Sequence, residues 1–237
     1  MIPLWVVCGA FFAWRTPAYL GFTPEASFVA LRDNTHYLML SAHVVLGTVT
    51  LTCCCLQLWP WLRQHHPKVH RISGRIYVTA VIPASVLAFV SAVWQDLPVP
   101  GRISNMTLSI LWLLMTIAGF RMARARRFAE HRRWMIRSFA LCISIIANRV
   151  WTGIMVVALM PFTDSVYGGD WDAMFMDAAL AAVWLSWIVN LLIAEWWIER
   201  TRRPRPKPPT GPVTGDGTRP AAVAGHRDTP PVPLSGS

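Results

Sequence analysis

Two short strings concentrate the side chains able to do chemistry. One reads His70-Arg71-Ile72-Ser73-Gly74-Arg75-Ile76-Tyr77, the other His131-Arg132-Arg133-Trp134-Met135-Ile136-Arg137-Ser138. Each sets a His-Arg pair ahead of a further Arg. Imidazole gives and takes a proton near neutral pH, and guanidinium grips phosphate or carboxylate through a planar fork of donors. Both strings stand immediately before an apolar run, so each is expected at the entry to a helix, where free N–H groups and partial positive charge favour an anion. His70, Arg71, Arg75, His131, Arg132 and Arg137 are therefore the candidate ligands for a phosphate, a pyrophosphate or a lipid headgroup. Basic residues beside Trp also anchor helices at an interface, but anchoring calls for Arg or Lys and does not need imidazole.

A second set of polar residues lies inside apolar runs. His43, Arg149 and Asn190 form the expected intramembrane polar cluster, in which Arg149 could by depth meet Ser186 or Asn190 or approach His43; Gln57, Asn148 and Asp177 complete the intramembrane or near-membrane polar set. Ionisable groups in hydrocarbon are costly and face a bundle interior or a water-filled cavity. Arg149 stands ~16 Å from the outer end of its run at ~1.5 Å per residue. The plainer alternative for Arg149 is that it satisfies carbonyls at a helix contact. Cys8, Cys53, Cys54, Cys55 and Cys142 lack paired metal-type spacing and are expected to pack as small apolar groups, so no metal site is expected. No GxSxG, HExxH or P-loop string occurs. Near the two basic strings Glu130 stands out as the one carboxylate, which disfavours carboxylate-held metal chemistry on phosphate.

The elements that must position these residues follow from composition. Of 237 residues, 54% are hydrophobic and 14% charged, with 13 Trp; soluble domains carry roughly 25% charge. Apolar runs of about 20 residues span a ~30 Å hydrocarbon core as helices. Five such runs cover Tyr37–Leu62, Ile76–Trp94, Ile103–Phe120, Trp134–Met160 and Met174–Ile198, and a sixth, Ile2–Trp14, is short for a span. They are continuous, not alternating, which excludes a barrel. The expected fold is thus an all-α polytopic bundle of about six spans over residues 1–199.

Charge then orients the bundle. Eighteen of the 22 basic residues fall in Leu62–Arg75, Arg121–Arg137 and the segment after Ile198, three alternate connections, while the intervening connections collect Asp and Glu. By the positive-inside rule these three face the cytoplasm, placing the chain in the cytoplasmic (inner) membrane with a cytoplasmic C-terminus. The net charge of +10 is then topological, and no nucleic-acid partner is expected. The last 38 residues, 200–237, hold nine of the 18 Pro and few large apolar residues, and are expected to be a disordered tail whose Arg-rich start lies on anionic headgroups.

The strings HRxxGRxY and HRxWMxRS resemble those of a family of bacterial predicted membrane proteins, domain of unknown function 2306. The resemblance takes in His43 and Gly47, Gln57 and Arg149, over roughly Thr35–Trp151. This chain has Leu58 where the family often has Phe, and Phe139 where Tyr is usual. The resemblance implies membrane location and a shared site, and no reaction.

Three functions fit these residues. One is binding, or acting on, an anionic or lipidic ligand, with His70 or His131 as acid/base and arginines clamping the anion. Another is electron transfer through haem b, whose axial ligands come from two helices at matching depth; His70 and His131 are the pair that qualifies. The last is a non-catalytic transporter, sensor or scaffold, although no repeat or matched pair of broken helices points to transport.

Overall fold

The computed structural model describes residues 34–201. The expected span Ile2–Trp14 and the expected disordered tail beyond Thr201 lie outside the described residues. Among those described, every regular element is a helix: α1 (Asn34–Leu58), α2 (Pro60–His65), α3 (Pro67–Trp94), α4 (Val99–Arg124), α5 (Phe128–Leu159), a 3-10 turn (Met160–Phe162), α6 (Thr163–Tyr167) and α7 (Trp171–Arg200). Five segments are long and apolar enough to cross a membrane: α1, α3, α4, α5 with its short extension, and α7. Helices are the form such runs take because hydrocarbon offers backbone groups no partner outside their own segment.

Short connections make successive long helices antiparallel neighbours. α1 packs on α3, α3 on α4, α4 on α5 and α5 on α7, with thinner contacts between α4 and α7 and between α1 and α5. The connections at 59–66 and 125–127 and the end of α7 share one end of the bundle, the basic end. The start of α1, residues 95–98 and residues 160–170 share the far end. At the basic turn between α4 and α5, Arg126 adopts a left-handed conformation (φ 58°) and Arg127 N–H bonds back to the Met122 carbonyl, closing α4 as a C-terminal cap does. At the far end Gly168 and Gly169 take φ 61° and 86°, and the Asp170 carboxylate accepts from Ala173 N–H at 3.0 Å to start α7.

Two boundaries differ from expectation in a way that matters. α3 begins at Pro67, nine residues before Ile76, and α5 at Phe128, six before Trp134. The His-Arg strings therefore lie inside the first turns of these helices and not ahead of them. Hydropathy marks where hydrocarbon ends, whereas the helices run on into the interface. Pro67 at the first helical position is the local signal, because its missing N–H has no helical partner there anyway. The apolar run expected to reach Leu62 is likewise broken after Leu58, since Pro60 starts a separate helix.

Candidate functional site

Several string residues tie their helix to a neighbour. His131 donates Nδ1–H to the Gly119 carbonyl of α4 at 2.8 Å; a carbonyl only accepts, so the proton sits on Nδ1 and Nε2 is left over. Met135 Sδ lies against Gly119, where an added Cβ would stand 2.7 Å from it. Arg137 makes a two-pronged ion pair with Glu195 of α7, with Nη2 to Oε2 at 2.8 Å, and its guanidinium lies 5.0 Å from the centre of the Trp134 ring. A carboxylate besides Glu130 thus reaches the basic end. Glu195 is embedded in the apolar run of α7, and an acid in such a run is itself the sequence signal of a cationic partner.

The last residues of the two strings meet each other. Tyr77 is completely buried; its hydroxyl bonds Ser138 Oγ at 2.8 Å and accepts from Trp112 Nε1 at 3.1 Å. Thr116 Oγ1 bonds the same Ser138 Oγ at 2.7 Å. This network joins α3, α4 and α5 in the middle of the bundle, and Phe139 packs edge-on against the Tyr77 ring at 5.0 Å. Phe139 joins this network through that ring contact. Gln57 of α1 donates Nε2–H to the His70 carbonyl at 2.6 Å and to Ser73 Oγ at 2.7 Å. Gly74 leaves it room, because a Cβ there would come within 3.3 Å of Gln57 Nε2.

Among the ligand candidates, His70, Arg71, Arg75 and Arg132 are not drawn into contacts between helices by their side chains. His70 Nδ1 is buried with no hydrogen-bond partner, and Arg63 and His131 lie near enough to act on His70 electrostatically. Arg71 and Arg75 lie one turn apart on α3; Arg71 Nε bonds only the Pro67 carbonyl at 3.3 Å. Arg71, Arg75 and Arg132 are exposed, and the two ion pairs among the described residues, Arg127–Glu130 and Arg137–Glu195, involve none of them. The backbone N–H groups of His70 and His131 are already bonded, to the carbonyls of His66 and Arg127. Any anion here is therefore met by side chains and not by those two amides.

The intramembrane set divides. His43 and Arg149 line one cavity of about 300 Å³ in the far half of the bundle, with Ser186 on its wall. His43 donates Nδ1–H to the Ala84 carbonyl at 2.9 Å. Asn190 is not there: it donates to the Ala140 carbonyl at 3.1 Å and lines a separate groove between α5 and α7. Depth explains the separation, since Ala140 is nine residues, ~13.5 Å, along α5 from Arg149. Gln95, Asn105, Ser109 and Ser144 also line the cavity, and only the assembled bundle brings these Ser, Asn and Gln residues together. Cys53, Cys54, Cys55 and Cys142 are buried and unbridged, and among the described residues no three His, Cys, Asp or Glu are placed to share a metal ion.

No curated protein and no solved structure matches this chain. A family model described as "Predicted membrane protein (DUF2306)" does, over residues 40–198. That stretch is more than half of the chain and contains both strings, the buried Tyr77–Ser138 network and the cavity, so the chain belongs to the DUF2306 family of predicted membrane proteins.

Proposed function

We propose that this chain is a multi-pass protein of the cytoplasmic membrane, its basic end and C-terminus facing the cytoplasm, that binds an anionic or lipidic ligand at that end. One observation carries the reading: Arg71, Arg75 and Arg132 lie outside every ion pair among the described residues, at the end of the bundle where His70 keeps a buried nitrogen without a partner. Two of the string residues have structural tasks. Arg137 ties α5 to α7, and His131 ties α5 to α4 through one ring nitrogen while keeping Nε2 for a ligand or a proton. Guanidinium groups at a membrane boundary favour phosphate-bearing headgroups, and the apolar flanks of α3 and α5 would lie against the acyl chains.

Native mass spectrometry of protein taken from nanodiscs of phosphatidylcholine with phosphatidylglycerol tests this. Wild type is expected to retain phosphatidylglycerol over phosphatidylcholine. The triple variant Arg71→Ala/Arg75→Ala/Arg132→Ala is expected to retain roughly tenfold less, three exposed contacts each contributing about 0.5 kcal/mol. Undiminished retention by the triple variant sinks the reading. An absorbance spectrum of the same preparation addresses haem b: a Soret band lost in His70→Ala or His131→Ala would replace the anion with haem held by those imidazoles.

A further inference from the structure

The far-half cavity is the feature that the basic end does not explain. All five long helices contribute to its wall, from Leu40 on α1 to Ser186 on α7. It reaches Gln95, the residue after α3, and extends inward to Leu51 and Trp112. About 300 Å³ is far beyond the voids that close packing leaves in protein interiors and matches the smaller ligand pockets. Gly47 widens it: the residue stands one turn from His43 on the same wall, and a Cβ placed on it meets nothing within 4 Å. Helix contact does not require glycine here, in contrast to Gly119, where a Cβ would collide with Met135.

Several polar groups on the wall have already committed their protons. The His43 ring bonds the Ala84 carbonyl through Nδ1 at 2.9 Å. A carbonyl only accepts, so the neutral ring holds its proton on Nδ1 and keeps a lone pair on Nε2. Thr48, Ser109, Ser144 and Ser186 behave alike. Each hydroxyl donates to a carbonyl of its own helix, those of Val44, Met106, Leu141 and Val183, at 2.6–2.9 Å. With their protons spent, these oxygens can only accept further bonds. Arg149 stands on the same wall and already has a partner. A ligand that meets His43 Nε2 or these hydroxyl oxygens must therefore bring the proton.

We propose that this cavity binds a small apolar alcohol or phenol, its hydroxyl donating to His43 Nε2 and its hydrocarbon body lying along Leu40, Val44, Leu108 and Ile145. Those four side chains give water nothing to bond and give a hydrocarbon body contact. A hydroxyl supplies the proton that the imidazole nitrogen and the serine and threonine oxygens need. It does so without carrying charge into a membrane span, where an ion is costly. An ether or a hydrocarbon of the same shape has no proton to offer, and would take Nε2 out of contact with water without pairing it.

Para-propylphenol is the probe, radiolabelled and measured on full-length protein in phosphatidylcholine nanodiscs at about pH 8, above the ordinary imidazole range, with empty discs subtracted. Saturable uptake of one molecule per chain is expected. The methyl ether of the same compound, para-propylanisole, is expected to compete about tenfold less well for want of the O–H. That comparison is made on wild type and needs no variant to fold. His43→Ala is expected to weaken phenol binding about tenfold and to bring phenol and ether to equal affinity. Gly47→Leu is expected to abolish uptake by filling the space, while its melting temperature, read by thiol-reactive dye, stays near that of wild type. Arg71→Ala/Arg75→Ala/Arg132→Ala is expected to bind the phenol normally, so failure at the basic end and failure here are separable. No saturable uptake by wild type (a cavity that holds water alone), the ether competing as well as the phenol, or full uptake by a folded Gly47→Leu variant would each overturn the proposal.

Discussion

The basic half and the far half of this bundle use polar residues in opposite ways. In the basic half the inward-facing polar groups tie helices to one another: Gln57 to His70 and Ser73, His131 to Gly119, Arg137 to Glu195, Tyr77 to Ser138 and Trp112, while Arg71, Arg75 and Arg132 face outward. In the far half His43, Gln95, Asn105, Asn148 and Arg149 turn toward a common space. Water-free surroundings explain why the first arrangement is tight. Lipid tails are as apolar as leucine, so helices in a membrane associate through close packing and interhelical hydrogen bonds and gain little from burying apolar surface. The same reasoning makes the second arrangement informative, because polar groups gathered around a space in a membrane protein are costly to keep unless something polar occupies it.

The difference can be broken first at its strongest point. Tyr77→Phe removes the hydroxyl that Trp112 and Ser138 both use, leaving the indole N–H without its acceptor in a fully buried site. A loss of about 2–3 kcal/mol of stability is expected, most of it from the stranded donor. Cys53, Cys54, Cys55 and Cys142 are buried thiols outside any disulfide, so they report unfolding directly when they become reactive to a maleimide dye, and a clear fall in melting temperature checks the prediction. A melting temperature equal to wild type would mean that this network does not hold the basic half together. Gly119→Val comes next. Its Cβ would overlap Met135 Sδ and press on Trp134, so α4 and α5 must separate or Met135 must leave its site, at about 1–2 kcal/mol for an overpacked contact. Gly119→Val combined with Met135→Ala is expected to recover part of that loss in the same assay, which distinguishes overlap from a helix-propensity effect.

These contacts mark the border of what could be read from residue order. The spans were legible because hydrocarbon demands long apolar runs, and the polar strings stood out against them. Hydropathy does not show where α3 begins, since Lys68, Arg71 and Arg75 interrupt the apolar run without interrupting the helix, and Pro67 is the local signal of its start. Partners were a different matter. Nothing local to Ser138 says that its oxygen meets Tyr77, 61 residues away, and Glu195 is one acid in a run of apolar residues until the fold sets Arg137 beside it. Depth counted along the helices did bring His43 and Arg149 to one region, because a rise of ~1.5 Å per residue is reliable in straight spans. Asn190 went elsewhere because the packing of α7 on α5 sets it beside Ala140, ~13.5 Å along α5 from Arg149, a register that neither helix's own sequence states.

The smallest expected effect sharpens the comparison most, because it sets one glycine against another. Gly47→Ala adds a methyl group where no atom lies within 4 Å, so it has nothing to displace in the protein. Alanine also favours the helical backbone by roughly 0.5–1 kcal/mol over glycine in a helix interior. The variant is therefore expected to melt at or slightly above the wild-type temperature, opposite in sign to Gly119→Val measured alongside it. If Gly47→Ala is instead destabilising, α1 must come closer to its neighbours than the structure shows, and the space beside His43 would be smaller than a ligand needs. If it is neutral or stabilising, the stability of the folded chain gives no reason for glycine at this position, and the room it leaves beside His43 becomes the reason that remains.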